Sequence, residues 1–186
     1  KKKWRWGFED FLQIFISSPY FSETMEVCWI DTANQIHNSW YKDTAVGIFM
    51  ENSGKFYGVI ISGKFKLKIK DKLSIFDSSA VVGHLQAYLV YLCCSLIEPL
   101  PEIERTYLCS DFQPINAYHK YLQKCFSYHG KTDLFLKMRL VQKPKEVKSK
   151  AHPKVRKLYK RRKEPSLVFD AEHLEQFLEY FNRQSL

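Results

Sequence analysis

Two apolar runs in this chain each end in a carboxylate. Val27-Cys28-Trp29-Ile30 leads into Asp31, and Thr106-Tyr107-Leu108-Cys109-Ser110 leads into Asp111. Runs of this length and composition read as buried strands, which puts each acid at the carboxyl end of a strand. Strand ends are rigid, and neighbouring strands lie about 4.8 Å apart. Two carboxylates on adjacent strand ends can therefore share a divalent ion. A pair of such ions, about 4 Å apart, activates water and neutralises charge on the leaving oxygen of a phosphodiester. Mg²⁺ and Mn²⁺ favour hard oxygen ligands, so carboxylates are the residue type this chemistry requires. The expectation is that Asp31 and Asp111 lie close together. Aspartate also starts turns and caps helices, and that ordinary role competes at every such position.

The elements that would position these acids follow from hydrophobic periodicity and turn residues. Residues 1–25 read as an N-terminal extension with a short amphipathic helix over 7–17, its face built from Phe8, Phe11, Leu12 and Phe15. The main domain runs over 26–186. Its first strand spans Glu26 to Ile30, and the polar stretch Thr32 to Thr44 reads as loop. Ala45 to Met50 and Lys55 to Ser62 form a hairpin around Asn52-Ser53-Gly54. Lysines alternate with Phe65, Leu67 and Ile69 over Lys64 to Ile69, a period of two that reads as an extended or bent sheet edge. Ser74 to Ile97 is long and apolar and reads as a buried helix. A Pro-containing loop leads to the fourth strand, Thr106 to Ser110. A helix over Pro114 to Tyr128 closes at His129-Gly130, Leu134 to Val141 reads as a fifth strand, and Asp170 to Arg183 as a final amphipathic helix. A hairpin followed by alternating helices and strands implies an α/β fold with a mixed sheet.

This order, with its acids, resembles the ribonuclease H-like superfamily, over residues 26–126 and more loosely over 134–183. The resemblance implies a mixed five-stranded sheet with flanking helices. In that family the first strand carries an Asp, and the long helix after the hairpin carries an acid near its start. The fourth strand ends in Asp, and a late helix begins with Asp or His. Asp31 in Ile30-Asp31-Thr32-Ala33-Asn34 is similar to the first, and Asp111 in Cys109-Ser110-Asp111-Phe112-Gln113 to the third. Asp77 in Phe76-Asp77-Ser78-Ser79-Ala80 stands where the family has Glu, and Asp170 opens the last helix. His152-Pro153 resembles a mobile-loop His that some members place before that helix. The resemblance implies a metal-dependent nuclease using Mg²⁺ or Mn²⁺, with Asp31, Asp77, Asp111 and Asp170 as catalytic and metal-binding residues. The departure at Asp77 implies an alternative, a catalytically inactive ribonuclease H-like module that binds nucleic acid or protein within a larger machine. The opening Ile30-Asp31-Thr32-Ala33-Asn34 is also similar to PIN/NYN-type nucleases. Those begin with alternating strands and helices, whereas here a hairpin follows the first strand.

Charge distribution points to the partner. The chain carries a formal +9, but residues 131–163 hold 14 Lys and Arg against 2 Asp and Glu, which leaves the remainder at −3. So concentrated a positive field suits a polyanion, with nucleic acid (RNA, DNA or a hybrid) first, an acidic membrane surface second and an acidic protein third. Over 142–165, bracketed by Pro144, Pro153 and Pro165, the expectation is a basic loop. Its Lys154, Arg156, Lys157, Lys160, Arg161, Arg162 and Lys163 would contact phosphates, which positions a strand without specifying sequence. The segment reads as lacking an apolar face, which argues against a membrane-surface helix, and no run is long and apolar enough to span a bilayer. Five Cys, none in C-x-x-C spacing and several inside core elements, read as free thiols, and an intracellular location is expected.

Overall fold

Successive side chains of strand β1 (Glu26–Ala33) point to opposite faces of the sheet, and this alternation divides the molecule. Cys28 and Ile30 enter a large apolar core, whereas Trp29 belongs to a smaller cluster on the other face. The computed structural model describes residues 25–109, 115–161 and 165–184. β1 pairs antiparallel with β2 (Thr44–Met50), which pairs antiparallel with β3 (Phe56–Ile61). On its other side β1 pairs in parallel with β4 (Ile103–Leu108), and β4 with β5 (Leu140–Gln142). A two-residue strand, β6 (Leu167–Val168), lies parallel to β3 at the far edge. The result is a mixed six-stranded sheet in the order β5-β4-β1-β2-β3-β6, one strand more than expected. A strand of two residues is too short to leave a periodic signal.

The larger core holds α2 (Ser78–Ser95), α3 (Ile115–Tyr128) and α6 (Ala171–Gln184) on one face of the sheet. Leu85, Leu89, Cys93 and most of the remaining α2 side chains are buried, as a helix apolar on all sides requires. Glu26 is itself buried, and its carboxylate accepts from the backbone of Asn52 and Ser53, which fastens the β2–β3 turn to β1. No helix among the described residues is long and apolar enough to cross a membrane.

Three expectations are corrected. Lys64 to Ile69 is not a sheet edge but lies in α1 (Gly63–Lys72), capped by the Ser62 hydroxyl, which accepts from Phe65 N. Its buried positions are Gly63, Lys66 and Ile69, a helical spacing. Lys66 is fully buried because its ammonium donates to Ser39 O at 2.7 Å and Thr44 Oγ1 at 2.9 Å, and burial lowers its pKa to about 8. A lysine doing the work of a core residue disguised the helical period. Leu134 to Val141 is likewise split. Helix α4 (Thr132–Met138) ends at Arg139 in the left-handed region, φ 47°, and only then does β5 begin. The basic stretch is not a loop, since its centre forms α5 (His152–Arg161), whose Val155 and Leu158 are buried. The predicted 7–17 helix lies outside the described residues.

Helix α5 crosses the second face of the sheet on a bed of small residues. Asp31 on β1 pairs with Gly47 on β2, and Gly47 with Gly58 on β3, so one cross-strand row reads Asp31-Gly47-Gly58. The next row toward the carboxyl end of β1 is Ala33-Ala45-Ile60. A Cβ on Gly47 would stand 2.6 Å from the Phe56 ring and 2.9 Å from Val155 Cγ2, and one on Gly58 2.4 Å from Leu158 Cδ2. His152 stands over Asp31, so every third residue of the helix meets the next strand of this row. Three residues of helix rise about 4.5 Å, close to the strand spacing of about 4.8 Å, which is why this spacing fits a helix lying across the strands.

Among the buried polar groups of the large core, His84 Nδ1 lies 2.6 Å from the Tyr180 hydroxyl, which ties α2 to α6. Burial, aided by Lys124, lowers the His84 pKa from 6.5 to about 4.

Two outcomes follow for stability. Gly47→Val should lower unfolding free energy by roughly 1–3 kcal/mol in urea titrations, because overpacking against the Phe56 ring and Val155 outweighs valine's strand preference. His84 binds its proton in the unfolded chain between about pH 6.5 and 4 while staying neutral in the folded one. Acidification through that window therefore costs stability, and the loss from this group levels off below the folded pKa. Urea midpoints should fall less steeply across the window in His84→Gln than in the parent.

Candidate functional site

Asp31 is the acid this fold treats most unusually. It is 4% exposed, at the carboxyl-terminal half of a central strand, on the face covered by α5. One carboxylate oxygen accepts from Thr32 N at 2.8 Å, and the other lies 3.3 Å from Nδ1 of His152, the first residue of α5. The His152 side chain is 55% exposed, so one end of the ring touches a buried carboxylate while the rest faces solvent.

The end of β4 completes the surroundings. Cys109 N donates to Ile30 O at 3.2 Å, which carries the β1–β4 pairing one residue past β4. The Cys109 thiol is pushed up to about 12 by burial first and the Asp31 charge second, with a hydrogen bond to Ser149 opposing. It stays protonated at neutral pH and is neither a nucleophile nor a metal ligand in that state. Ser149 also accepts from His152 N at 3.3 Å, which anchors the start of α5 beside Asp31. Asp31, Cys109, Ser149 and His152 thus form one cluster at the carboxyl end of the central strands. After β1 the chain turns at Asn34, φ 60°, whose amide donates to Asp43 O at 2.6 Å. Asn34 closes a turn here.

The other predicted acids lie elsewhere. Asp77 is the N-cap of α2, accepting from Ser79 N at 3.1 Å and from the Ser79 hydroxyl, bonds that lower its pKa. Cys93, fifteen residues beyond Ser78, is the α2 residue whose thiol donates to Val46 O, and Val46 pairs with Thr32. That length of helix spans about 22 Å, and α2 packs on the opposite face, so Asp77 is not brought to Asp31. Asp170 caps α6, accepting from His173 N at 3.1 Å and facing His173 Nδ1 at 2.6 Å, and these contacts lower its pKa. Phe169 beside it bonds to Ile60 on β3, and β6 lies three strands from β1, about 14 Å across the sheet. Asp111 lies outside the described residues. Among the described residues, no three His, Cys, Asp or Glu side chains gather to hold a metal.

The predicted phosphate contacts do share an element with the site. Lys154, Arg156, Lys157, Lys160 and Arg161 all belong to α5, directly after His152, with Arg156, Lys157, Lys160 and Arg161 exposed. Lys154 places its ammonium 4.5 Å from the Phe49 ring centroid. Arg162 and Lys163 lie outside the described residues. Sequence reasoning named His152 only through the resemblance, as a mobile-loop His, and did not pair it with Asp31. The signal was present in Gly47 and Gly58, since glycine inside a strand often marks the close approach of another element. No family model matches the chain, and no curated protein or solved structure does.

The arrangement predicts the reactivity of Cys109. In native protein treated with iodoacetamide at pH 8, peptide mapping should find Cys109 alkylated far more slowly than an unfolded control. Asp31→Asn removes one of the charges that disfavour the thiolate and should accelerate the reaction. An unchanged rate would show that Asp31 does not act on Cys109.

Proposed function

We propose that this chain is a ribonuclease H-like phosphodiesterase acting on nucleic acid, with its chemistry centred on Asp31 and His152. The observation that carries the reading is that the buried carboxylate of a central strand is met by the opening residue of the most basic helix. The resemblance expects a late helix that begins with Asp or His and supplies a site residue. Helix α5, opened by His152, suits that role better than α6, opened by Asp170. The antiparallel β1-β2-β3 hairpin, followed by β4 and β5 parallel to β1, also accords with the ribonuclease H-like element order.

The described donors fit a divalent ion in part. Asp31 offers a carboxylate oxygen and His152 an imidazole nitrogen, a mixed set that suits Mn²⁺ better than Mg²⁺. A bound ion would be held by Asp31 and His152, and by Asp111 if the carboxylate that the resemblance implies is supplied there, and would supply Lewis acidity toward a phosphate oxygen and its attacking water. The chain's own residues do the rest. Cations of α5 draw in the phosphates and fix the strand beside the site. Ser149, which accepts from His152 N, and Asp31 together set the position of the His152 ring at the site. A second reading, binding without cleavage, is favoured by one observation: Asp77 and Asp170 act as helix caps away from Asp31.

Cleavage of labelled single- and double-stranded RNA and DNA in Mn²⁺ and in Mg²⁺ tests the proposal. Asp31→Asn should reduce cleavage more than about 100-fold, since even the outer partners of a catalytic metal are worth 10–100-fold. Binding in chelator should survive that change. Absence of cleavage in the parent, with salt-sensitive binding intact, would favour the binding module. Lys157→Ala and Lys160→Ala should each reduce the slope of log K against log salt concentration by about one unit.

A further inference from the structure

On the face that carries α5, the cross-strand row next to Asp31-Gly47-Gly58 is entirely aromatic. Trp29 on β1 pairs with Tyr107 on β4 and with Phe49 on β2, and Phe49 pairs with Phe56 on β3. Four neighbouring strands therefore present Tyr107, Trp29, Phe49 and Phe56 side by side, one row toward the amino end of β1 from Asp31. The Trp29 and Tyr107 rings lie 4.5 Å apart between centroids. Trp29 is buried, with its indole N–H donating to Glu51 at 3.0 Å, whereas Tyr107, Phe49 and Phe56 are half-buried.

Cations border the row. The Lys154 ammonium lies 4.5 Å from the Phe49 centroid and that of Lys150 5.9 Å from Trp29, and Arg105 Nη1 donates to the Tyr107 hydroxyl at 3.4 Å. Of the carboxylates around the row, Glu51 is matched by Lys150 and Glu104 by Arg105. Lys154 and the exposed cations of α5 remain in excess. A floor of rings beside a wall of surplus positive charge is complementary to a ligand with flat apolar faces on an anionic backbone.

The geometry points to a track for single-stranded nucleic acid, in which unpaired bases stack on Phe49 and Tyr107 while the α5 cations hold the phosphates. This rests on the nucleic-acid reading above and deepens it by naming the substrate class. A duplex keeps its base faces stacked on one another, so rings on a sheet reach bases only when these are unpaired. Trp29 acts as support: pinned by Glu51 and Lys150, it backs the Tyr107 ring. The flexible stem of Lys154 lets its ammonium leave the Phe49 ring for a phosphate as a base arrives. The track runs alongside Asp31, so a strand lying on it passes the proposed catalytic cluster.

The test measures fluorescence anisotropy in chelator, which prevents metal-dependent cleavage. The probes are labelled oligothymidylate, an abasic oligomer of equal length, and a duplex of that length. The parent should bind oligothymidylate at least about tenfold more tightly than the abasic oligomer, the scale of a single stacked base where two rings are offered, and more tightly than the duplex. Phe49→Leu and Tyr107→Leu, checked by thermal melting, should narrow that gap. Equal affinity of the parent for base-bearing and abasic strands overturns the track and leaves the phosphate-holding helix standing. Preference for the duplex overturns it as well. The comparison made on the parent needs no variant, so a variant that fails to fold does not remove the test. Absence of salt-sensitive binding to any oligomer would overturn the nucleic-acid reading itself, and stronger binding of polyglutamate than of oligothymidylate would assign the surface to an acidic protein.

Discussion

Close packing of one helix on one row of the sheet governs the rest of this structure. Side chains at Gly47 and Gly58 would collide with Val155 and Leu158, so their absence sets how near α5 can come. The apolar underside of the helix fills that space, and three residues of its rise match one strand spacing. From this one contact come the position of His152 over Asp31, the outward direction of Arg156, Lys157 and Lys160, and the border of the aromatic row. Moving the helix outward by the size of a methyl group would disturb all of these together.

The contact also explains how a strongly basic segment folds at all. Ten residues with so many like charges repel one another and would favour an extended chain in isolation. Val155 and Leu158 provide apolar burial that offsets this repulsion, and Lys154 places its ammonium over the Phe49 ring rather than beside another cation. The charges are thus left on a rigid surface instead of a loop. A rigid array of cations binds phosphate with less ordering of its own chain than a flexible one. Asp31, in turn, accepts burial because both its oxygens are engaged, one by a backbone N–H and one by the imidazole.

Polar residues doing apolar work limit how far pattern alone can be read. Lys66 sits where α1 meets the sheet, with its charge carried to Ser39 O and Thr44 Oγ1, and it makes a helical surface look like an alternating strand. Arg139 ends α4 in a left-handed conformation without a glycine to announce it. At α5 the prolines at 144, 153 and 165 and the dense charge obscured two buried apolar residues. Pro153 is compatible with the first turn of a helix, where its missing N–H has no intrahelical partner to lose.

The sequence by itself determined the α/β class, the hairpin at Asn52-Ser53-Gly54, the long buried helix, the strand carrying Asp31 and the location of positive charge. Each is a local property, written in the period of apolar side chains or in composition. Only the tertiary structure decided which residues share the Asp31 site. Asp77 and Asp170 have the same side chain as Asp31, and nothing in their neighbours' identities tells a helix cap from a strand-end carboxylate facing another element. That distinction depends on which helix crosses which strand, and it was decided by two glycines distant in sequence from the histidine they bring into place.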